Sequence, residues 1–355
     1  MAVDTDALPV AALPWPPLLP WQQTAARDLL AQRASWPHAL LLYGPAGIGK
    51  HALALNLAQA LLCEAPRDDG LACGNCPGCR YAVAGTHPDL LRIERLQVDD
   101  ESGELRWVET IAIDRIRELI DFAQLSSHRR RAKVAVIAPA ERMNAAAANA
   151  LLKTLEEPPA ATFLLLVSDQ PARLPATIRS RCRKIAAPLP APADARAWLI
   201  SEGVEEPDLA LSQARGAPLA ARALADPAAL AERKVWLAAL AQPGRLSASG
   251  FAARIDAGGK EQRRARLEAA LEWLLSWTAD LARVRAGGEP RQNPDFAEAL
   301  RSLAGKVAPL ALFRYHRTLL GQRALMAHPL QPRLVAEALL IDYRDLFNRQ
   351  VRPTP

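Results

Sequence analysis

The sequence is poor in aromatic residues and lacks any apolar run long enough to cross a membrane. Phe, Trp and Tyr make up 5% of its 355 residues, while alanine and leucine dominate, so we expect a largely helical protein. No stretch approaches the roughly 18 uninterrupted apolar residues that a membrane span requires. The N-terminal stretch has acidic side chains and repeated prolines in place of a basic start and an apolar run, which argues against a secretory signal. We therefore expect a cytoplasmic protein with reduced thiols.

A strong charge of one sign is also missing. Half of the residues are hydrophobic, 23% are charged and the formal net charge is +6, which is ordinary for a soluble globular chain. A modest positive charge fits a protein that works near nucleic acid, but it does not require direct contact. A chain of this length has room for two or three domains, each with its own core.

Short apolar segments alternate with helical patterns in the first half of the chain. The strand candidates are residues 39–43, 89–93, 133–137, 162–167 and 182–186. Longer segments separate them, including helices predicted over 114–124 and 144–157, and this alternation is typical of a parallel sheet covered on both faces. Residues 1–187 are therefore predicted to form an α/β domain.

The second half of the chain is predicted to be helical. A proline-rich stretch at 187–194 marks the boundary. Residues 188–234 are interpreted as a small helical domain and residues 235–355 as a larger all-helical domain. Leu271, Leu274, Leu275 and Leu281 form one clear amphipathic stripe in the latter.

A glycine-rich loop is the strongest local motif. The segment GPAGIGK at 44–50 follows a strand candidate and precedes a helix predicted over 52–62, the context that a phosphate-binding loop requires. Glycines let successive backbone amides turn inward around an anion, and the helix N-terminus adds its positive end. Gly44, Gly47, Gly49 and Lys50 are therefore candidate nucleotide-binding residues, with Lys50 reaching the β- and γ-phosphates.

The groups that would use the nucleotide are missing. His51 stands where a Ser or Thr hydroxyl should bind Mg²⁺, and a neutral imidazole is a poor ligand for that hard cation. Ala138 and Pro139 follow the strand at 133–137, where an Asp and a Glu should hold the metal and activate water. Glu141 would substitute only if its loop folded back. We therefore expect little or no ATP hydrolysis.

Four of the five cysteines are clustered. Cys63, Cys73, Cys76 and Cys79 have the spacing C-x9-C-x2-C-x2-C in a segment rich in Gly and Pro, and four thiolates at such spacing can close a tetrahedral Zn²⁺ site. An iron–sulfur cluster and redox disulfides are the alternatives; a reducing compartment disfavours stable disulfides, and the order of the spacing differs from that of ferredoxins. We predict a structural zinc site with no open position for catalysis. Cys182 stands apart and is expected to be a small buried residue.

Two weaker signals have ordinary structural explanations. The basic run at 128–131 is expected to be a solvated loop before a strand rather than a DNA-binding segment. Trp273 and Trp277, one helical turn apart, are expected to pack in a helical core rather than to stack on bases.

Three motifs together resemble those of a known family. GPAGIGK at 44–50, NALLKTLEEPP at 149–159 and IRSRC at 178–182 are similar to segments of bacterial clamp-loader subunits of the AAA+ class. The resemblance covers about residues 21–187 strongly and the C-terminal half only by layout. It implies an AAA+ α/β module with an inserted zinc module at about 63–79, then a helical lid and a helical collar used for oligomerisation.

The resemblance also implies a role for Arg181. In the family the arginine of the SRC triplet points into the neighbouring subunit's nucleotide site, where a guanidinium stabilises charge on the transferred phosphoryl group. Arg181 is accordingly the candidate arginine finger acting in trans. The implied partners are the gamma/tau and delta subunits of the DNA polymerase III clamp loader and, through the complex, the sliding clamp and primed DNA.

Two subunit types share these motifs, one that hydrolyses ATP and one that does not. The missing acidic pair, His51 and the segment GAPL at 216–219, which lacks the arginine expected near Leu219, favour the non-hydrolysing type. Such a subunit would help to load the sliding clamp during DNA replication and would have no polymerase activity of its own. Its phosphate-binding loop would be a degenerate site for ATP or ADP. An active ATPase subunit, a stand-alone AAA+ ATPase and a zinc-containing DNA-binding module remain as alternatives.

Overall fold

The computed structural model describes residues 14–98, 105–129, 131–325 and 331–348. The chain divides into two compact units, residues 1–194 and 195–355. Within the described ranges, no helix is both long enough and apolar enough to cross a membrane.

A five-stranded parallel sheet is the framework of the first unit, and a short antiparallel hairpin accompanies it. The sheet order is β2-β5-β6-β1-β7, and the hairpin pairs β3 with β4. The strands are β1 Ala39–Tyr43, β2 Leu90–Glu94, β3 Leu96–Val98, β4 Leu105–Trp107, β5 Lys133–Ala138, β6 Thr162–Ser168 and β7 Arg183–Ala186. The predicted parallel sheet is thereby confirmed, and all five predicted strands are present within a residue of their expected ends.

Helices precede and connect the parallel strands of this unit. They are α1 Gln23–Ala31, α2 Lys50–Leu62, α3 Pro77–Val83, α4 Ile113–Gln124, α5 Ala145–Glu156 and α6 Ala176–Arg181. The Asn144 side chain accepts a hydrogen bond from the Ala147 N–H and caps α5. Because α6 continues through Arg181, the last strand begins at Arg183, one residue later than predicted.

Alternating side chains of β1 supply two separate hydrophobic layers. Leu40 and Leu42 pack into the layer that contains α2, whereas Ala39 and Leu41 pack into the layer that contains α4 and α5. This alternation follows from the pleat of a strand, in which successive side chains point to opposite faces. The buried sheet therefore fixes the relative positions of its strand ends and of the loops that follow them.

The second unit is helical, and its described residues include two separate hydrophobic cores. A small core is formed by Leu199, Ala210 and Ala221, and a large one is built around α12 and α15. The helices are α7 Pro192–Ser201, in which the boundary between the units falls, α8 Pro207–Gln213, α9 Pro218–Leu224, α10 Pro227–Leu240, α11 Ala248–Ile255, α12 Lys260–Arg285, α13 Ala297–Ala304, α14 Pro309–Leu325 and α15 Pro332–Asn348. The finer division into domains at 187/188 and 234/235 stays a prediction.

The two tryptophans of α12 lie in the large core, as predicted. Trp277 is fully buried, and its Nε1 donates to the Tyr343 hydroxyl at 2.8 Å, which in turn donates to the Leu240 carbonyl. Trp273 packs against Trp236 with ring centroids 5.7 Å apart. Both rings therefore serve packing in this unit.

Candidate functional site

The glycine-rich loop joins β1 to α2 and is held by the segment that precedes α1. The Trp21 Nε1 donates to the Ile48 carbonyl at 3.0 Å, and the Gln22 Nε2 donates to the Gly49 carbonyl at 2.7 Å. Gly49 has a φ of +91°, and a Cβ there would lie 2.2 Å from a methyl carbon of Leu19. Only glycine satisfies both conditions, so this position fixes how α2 begins.

Lys50 makes its contacts inside the protein. Its side chain is 2% exposed, and its Nζ lies 2.5 Å from the Asp169 Oδ1. The same nitrogen donates to the Pro45 carbonyl, also at 2.5 Å. The ammonium that was predicted to reach nucleotide phosphates is therefore paired with a carboxylate of this chain.

Asp169 was not singled out from the sequence. It follows β6, which is the neighbour of β1 in the sheet, and β1 leads directly into the loop that contains Lys50. The carboxyl ends of neighbouring parallel strands lie at the same edge of a sheet, where ligand sites of α/β proteins form. An acidic residue two positions after the strand predicted over 162–167 was the signal that would have indicated Asp169.

The expected metal-binding acids are absent from the end of β5, where Ala138 is followed by Pro139. A carboxylate is nevertheless present one strand away, because Glu94 at the end of β2 is in register with Ala138. Its Oε1 accepts from the Arg92 Nε at 2.6 Å and lies 3.0 Å from the His51 Nε2, although that ring nitrogen is not aligned for a hydrogen bond. Glu94 is thus hydrogen-bonded to Arg92 and in close contact with His51.

The environment of Glu94 keeps it ionised. Burial alone would raise the pKa of this carboxyl, but its contacts with His51 and Arg92 outweigh burial and hold the pKa below the ordinary glutamate value. The position after Lys50 therefore carries a histidine directed at a carboxylate, where a hydroxyl ligand for Mg²⁺ was expected.

Glu141 folds back toward the end of β6. Its Oε1 accepts from the backbone N–H groups of Asp169 and Gln170 at 3.0 and 3.1 Å. Its Oε2 is buried and has no hydrogen-bond partner among the described residues. The contacts of Glu141 hold the turn that presents Asp169 to Lys50.

The four clustered cysteines come together as predicted. The sulfur atoms of Cys63, Cys73, Cys76 and Cys79 all lie within 4.8 Å of one another. The Cys63–Cys76 and Cys73–Cys79 sulfur distances are 3.9 and 4.0 Å, far longer than a disulfide bond. Ligand sulfurs of a tetrahedral zinc ion lie about 3.8 Å apart, so this cluster fits such an ion.

Backbone hydrogen bonds prepare the sulfurs for a cation. Burial opposes ionisation of Cys76, but the N–H groups of Cys79 and Glu64 donate to its sulfur and lower the pKa of this thiol to about 6. Cys79 lies deeper, and its burial raises the pKa of its thiol. A bound cation would offset that burial and favour the thiolate form of all the ligands.

Two arginines of the basic run at 128–131 contact the segment that contains the clustered cysteines. Arg129 forms an ion pair with Glu64, which follows Cys63, and its guanidinium lies 5.0 Å from the centre of the Tyr81 ring. The Arg131 Nη2 donates to the Glu64 carbonyl at 2.7 Å. These arginines are therefore engaged with the protein, a structural role more specific than the solvated loop that was expected.

Arg181 ends α6, immediately before the edge strand β7. Its Nη2 lies 2.5 Å from the Glu156 Oε1, and its Nη1 donates to the Thr177 carbonyl at 3.0 Å. About a third of its side chain is exposed. The predicted finger is thus accessible, partly restrained and at an edge of the sheet.

The GAPL segment leads into α9, which begins at Pro218. The first arginine of that helix, Arg222, forms an ion pair with Glu202 at 3.0 Å. The position of Leu219 therefore offers no cation of its own.

The parallel sheet and the glycine loop between β1 and α2 define a P-loop protein of the α/β class, which carries a helical second unit. A family model described as "DNA polymerase III, delta subunit" matches residues 22–189. The chain is 35% identical to DNA polymerase III subunit delta' of Pseudomonas aeruginosa over 93% of its length and 98% of that protein's. It is 34% identical to DNA polymerase III subunit delta' of Escherichia coli over 82% of its length and 84% of that protein's.

A different subunit matches a shorter region. DNA polymerase III subunit tau of Escherichia coli is 37% identical over 41% of this chain and 20% of that protein. The chain belongs to the DNA polymerase III subunit delta' family, and the predicted resemblance to bacterial clamp-loader subunits is confirmed.

Proposed function

We propose that this chain is a non-hydrolysing subunit of a DNA polymerase III clamp loader, which helps to load the sliding clamp on primed DNA during replication. In this proposal it contacts the gamma/tau and delta subunits, and it meets the clamp and DNA through the complex. Membership of the delta' family supports this role, and the soluble replication machinery in which it would act is cytoplasmic.

The proposal that this subunit does not hydrolyse ATP rests on the residues around Lys50. The strand end that should offer two acids has Ala138 and Pro139. The nearest carboxylate in the sheet, Glu94, is bound to Arg92 and His51. With His51 in place of the Mg²⁺-binding hydroxyl and no acid at the end of β5, the site lacks the groups that normally organise Mg²⁺ and polarise a water molecule. Nucleotide that binds to Gly44, Gly47, Gly49 and Lys50 would therefore remain intact.

Arg181 would act outside its own subunit. Its position at the end of α6, beside the edge strand β7, leaves it accessible to a neighbouring chain. A guanidinium offered to a neighbour's γ-phosphate stabilises the charge that develops during transfer, an effect worth about 10³–10⁵ in rate in related systems. Arg181 is the only group of this chain that we assign to the chemistry, and it serves the neighbour's ATP.

The cysteine cluster would hold a structural zinc ion. Cys63, Cys73, Cys76 and Cys79 would supply four thiolate ligands, which leaves no open coordination position. The ion would fix the segment between α2 and α3. We also propose that residues 188–234 act as a lid and residues 235–355 as the oligomerisation domain, since each range has a hydrophobic core of its own.

The test is ATP turnover by the purified chain alone and in a reconstituted mixture with gamma/tau, delta, clamp and primed DNA. We expect no turnover by the chain alone and stimulated turnover in the mixture. The Arg181→Ala variant should assemble normally and lose most of the stimulation, whereas Arg183→Ala, an exposed arginine two residues away, should retain it.

Turnover by the isolated chain that disappears in Lys50→Ala would show that it is an ATPase, which is the second candidate function. The retained loop glycines and Lys50 favour that candidate. Full stimulation by Arg181→Ala in the assembled mixture would instead refute the role in trans.

A further inference from the structure

A basic cleft lies within the second unit. It has a volume of about 470 Å³ and is lined by residues from α8 and the turn that follows it, from α12, and from the turn at 291–292. Three of its lining side chains are arginines, Arg215, Arg283 and Arg291, and all three residues are exposed. A cleft of this volume is in the size range of small-ligand sites.

The acidic groups near these arginines are engaged elsewhere. Asp280, which also lines the cleft, is 2% exposed, and its carboxylate accepts four hydrogen bonds at 2.7–3.0 Å, from the N–H groups of Arg291, Gln292 and Asn293 and from the Asn293 side chain. Glu289 forms an ion pair with Arg301 at 2.6 Å, and Asp295 forms one with Arg233 at 2.6 Å.

Few protein groups neutralise the positive charges of the cleft arginines. Arg215 donates from its Nε to the neutral Gln292 side chain at 3.2 Å. The guanidinium groups of Arg283 and Arg291 have no hydrogen-bond or ion-pair partner in the described parts of the chain. Three arginines and one aspartate, Asp280, therefore line the cleft, which leaves it with an excess of positive charge.

The backbone at Arg215 is also unusual. Its φ is +55°, a left-handed conformation that residues with a Cβ rarely adopt. Gly216, which follows it directly, also has a positive φ, of +83°, so two consecutive left-handed residues form the turn after α8. A cost of this kind is commonly kept where it directs a side chain to a ligand.

We propose that this cleft binds a phosphate-bearing anion. Each guanidinium presents a planar fork of donors that matches phosphate oxygens. A carboxylate has only two oxygens and is saturated by one such fork, whereas a phosphate or diphosphate group can accept from several arginines at once. The phosphate group belongs either to a small polyphosphate or to a strand of nucleic acid.

The test uses the full-length zinc-containing chain at low ionic strength, with inorganic pyrophosphate and a short single-stranded oligonucleotide as separate probes. Binding is followed by calorimetry. We expect the double variant Arg283→Gln/Arg291→Gln to bind pyrophosphate about tenfold more weakly than the parent chain. Arg264→Gln, the same charge change on the same helix at a residue paired with Glu268, should bind like the parent.

The glycine loop is a second anion site in this chain, so pyrophosphate binding is compared in a Lys50→Ala background. Pyrophosphate should still bind to the cleft of the Lys50→Ala chain. This binding should disappear when Arg283 and Arg291 are also replaced. Oligonucleotide binding that depends on Arg283 and Arg291 more strongly than pyrophosphate binding does would identify nucleic acid as the source of the phosphate.

A measurement on the parent chain covers the case in which the double variant does not fold. Phenylglyoxal modifies accessible arginines, and the modified residues are mapped by mass spectrometry. Pyrophosphate should protect Arg283 and Arg291 at least about threefold in rate and leave Arg264 unprotected. Equal rates with and without both probes, or protection by an acidic peptide alone, would overturn the proposal.

Discussion

Arg181 and Glu156 form an ion pair that joins the ends of two helices, with 2.5 Å between the Nη2 and Oε1 atoms. Both residues belong to motifs that carry the family resemblance, yet they are 25 residues apart in the chain. The Thr177 carbonyl accepts a second hydrogen bond from the same guanidinium. Glu156 thus sets the direction in which Arg181 leaves α6 while the rest of its side chain stays accessible.

The first prediction concerns this pair. In the reconstituted loader, Glu156→Gln should reduce ATP turnover by about three- to tenfold, less than the loss in Arg181→Ala, because a looser finger is in place for less of the time. The thermal midpoint should hardly change, since an exposed ion pair contributes well under about 1 kcal/mol. Glu157→Gln, at the adjacent exposed residue, is the control; an equal effect of both variants would contradict a positioning role.

The second prediction concerns the cysteine cluster. The purified chain should contain about one zinc ion, and Cys76→Ser should lose it, because three remaining thiolates leave the tetrahedral site incomplete. Metal content is measured by mass spectrometry, and the unfolding midpoint is measured with and without a chelator. Cys182→Ser, which removes the separate buried thiol, should retain the metal. A metal-free parent chain, or a Cys76→Ser variant with full zinc content, would refute the site.

The third prediction concerns the carboxylate that faces the loop lysine. Asp169→Asn removes the charge that neutralises Lys50 and should tighten the binding of a fluorescent ADP analogue by about three- to tenfold. Asp194→Asn, an exposed acid outside the loop, should leave binding unchanged, and Lys50→Ala should abolish it. Weaker binding by Asp169→Asn would mean that this aspartate supports nucleotide instead of competing with it.

The fourth prediction concerns pH and Glu94. Because its pKa is lower in the folded chain than in the unfolded one, its ionised form stabilises the fold above the unfolded value of about 4.3. That contribution is lost as the pH falls through the folded pKa. The free energy of unfolding, from urea titrations between neutral pH and pH 3, should therefore fall less steeply in Glu94→Gln than in the parent.

The same variant should also be less stable at neutral pH, by about 2 kcal/mol, because the substitution weakens a charge-assisted hydrogen bond to the buried Arg92. Asp89, whose pKa is likewise lowered, keeps its own contribution, so the acid dependence is reduced and not abolished. Glu118→Gln, at an exposed helical position, is the matched control. An unchanged acid dependence in Glu94→Gln would show that this carboxyl does not titrate with folding.

Much of the first unit could be predicted from local patterns. The strand segments, the loop glycines with Lys50 and the cysteine spacing are signals that lie within a few residues of one another, and each imposes its own local geometry. The strand at 182–186 begins one residue late because the end of a short helix is decided by its surroundings, not by propensity. The basic run at 128–131 was assigned to solvent because its partner Glu64 is distant in sequence.

The sequence by itself determined that a phosphate-binding loop is present, that the residues expected to use its ligand are missing, and that four thiols can close around a metal. Only the tertiary structure decided that Asp169 pairs with Lys50 and that Glu94 faces His51. Lys50 and His51 follow β1, whereas Asp169 follows β6 and Glu94 ends β2, and the carboxyl ends of parallel strands meet at one edge only after the sheet has formed. A contact of this kind depends on strand order, which spacing along the chain does not encode.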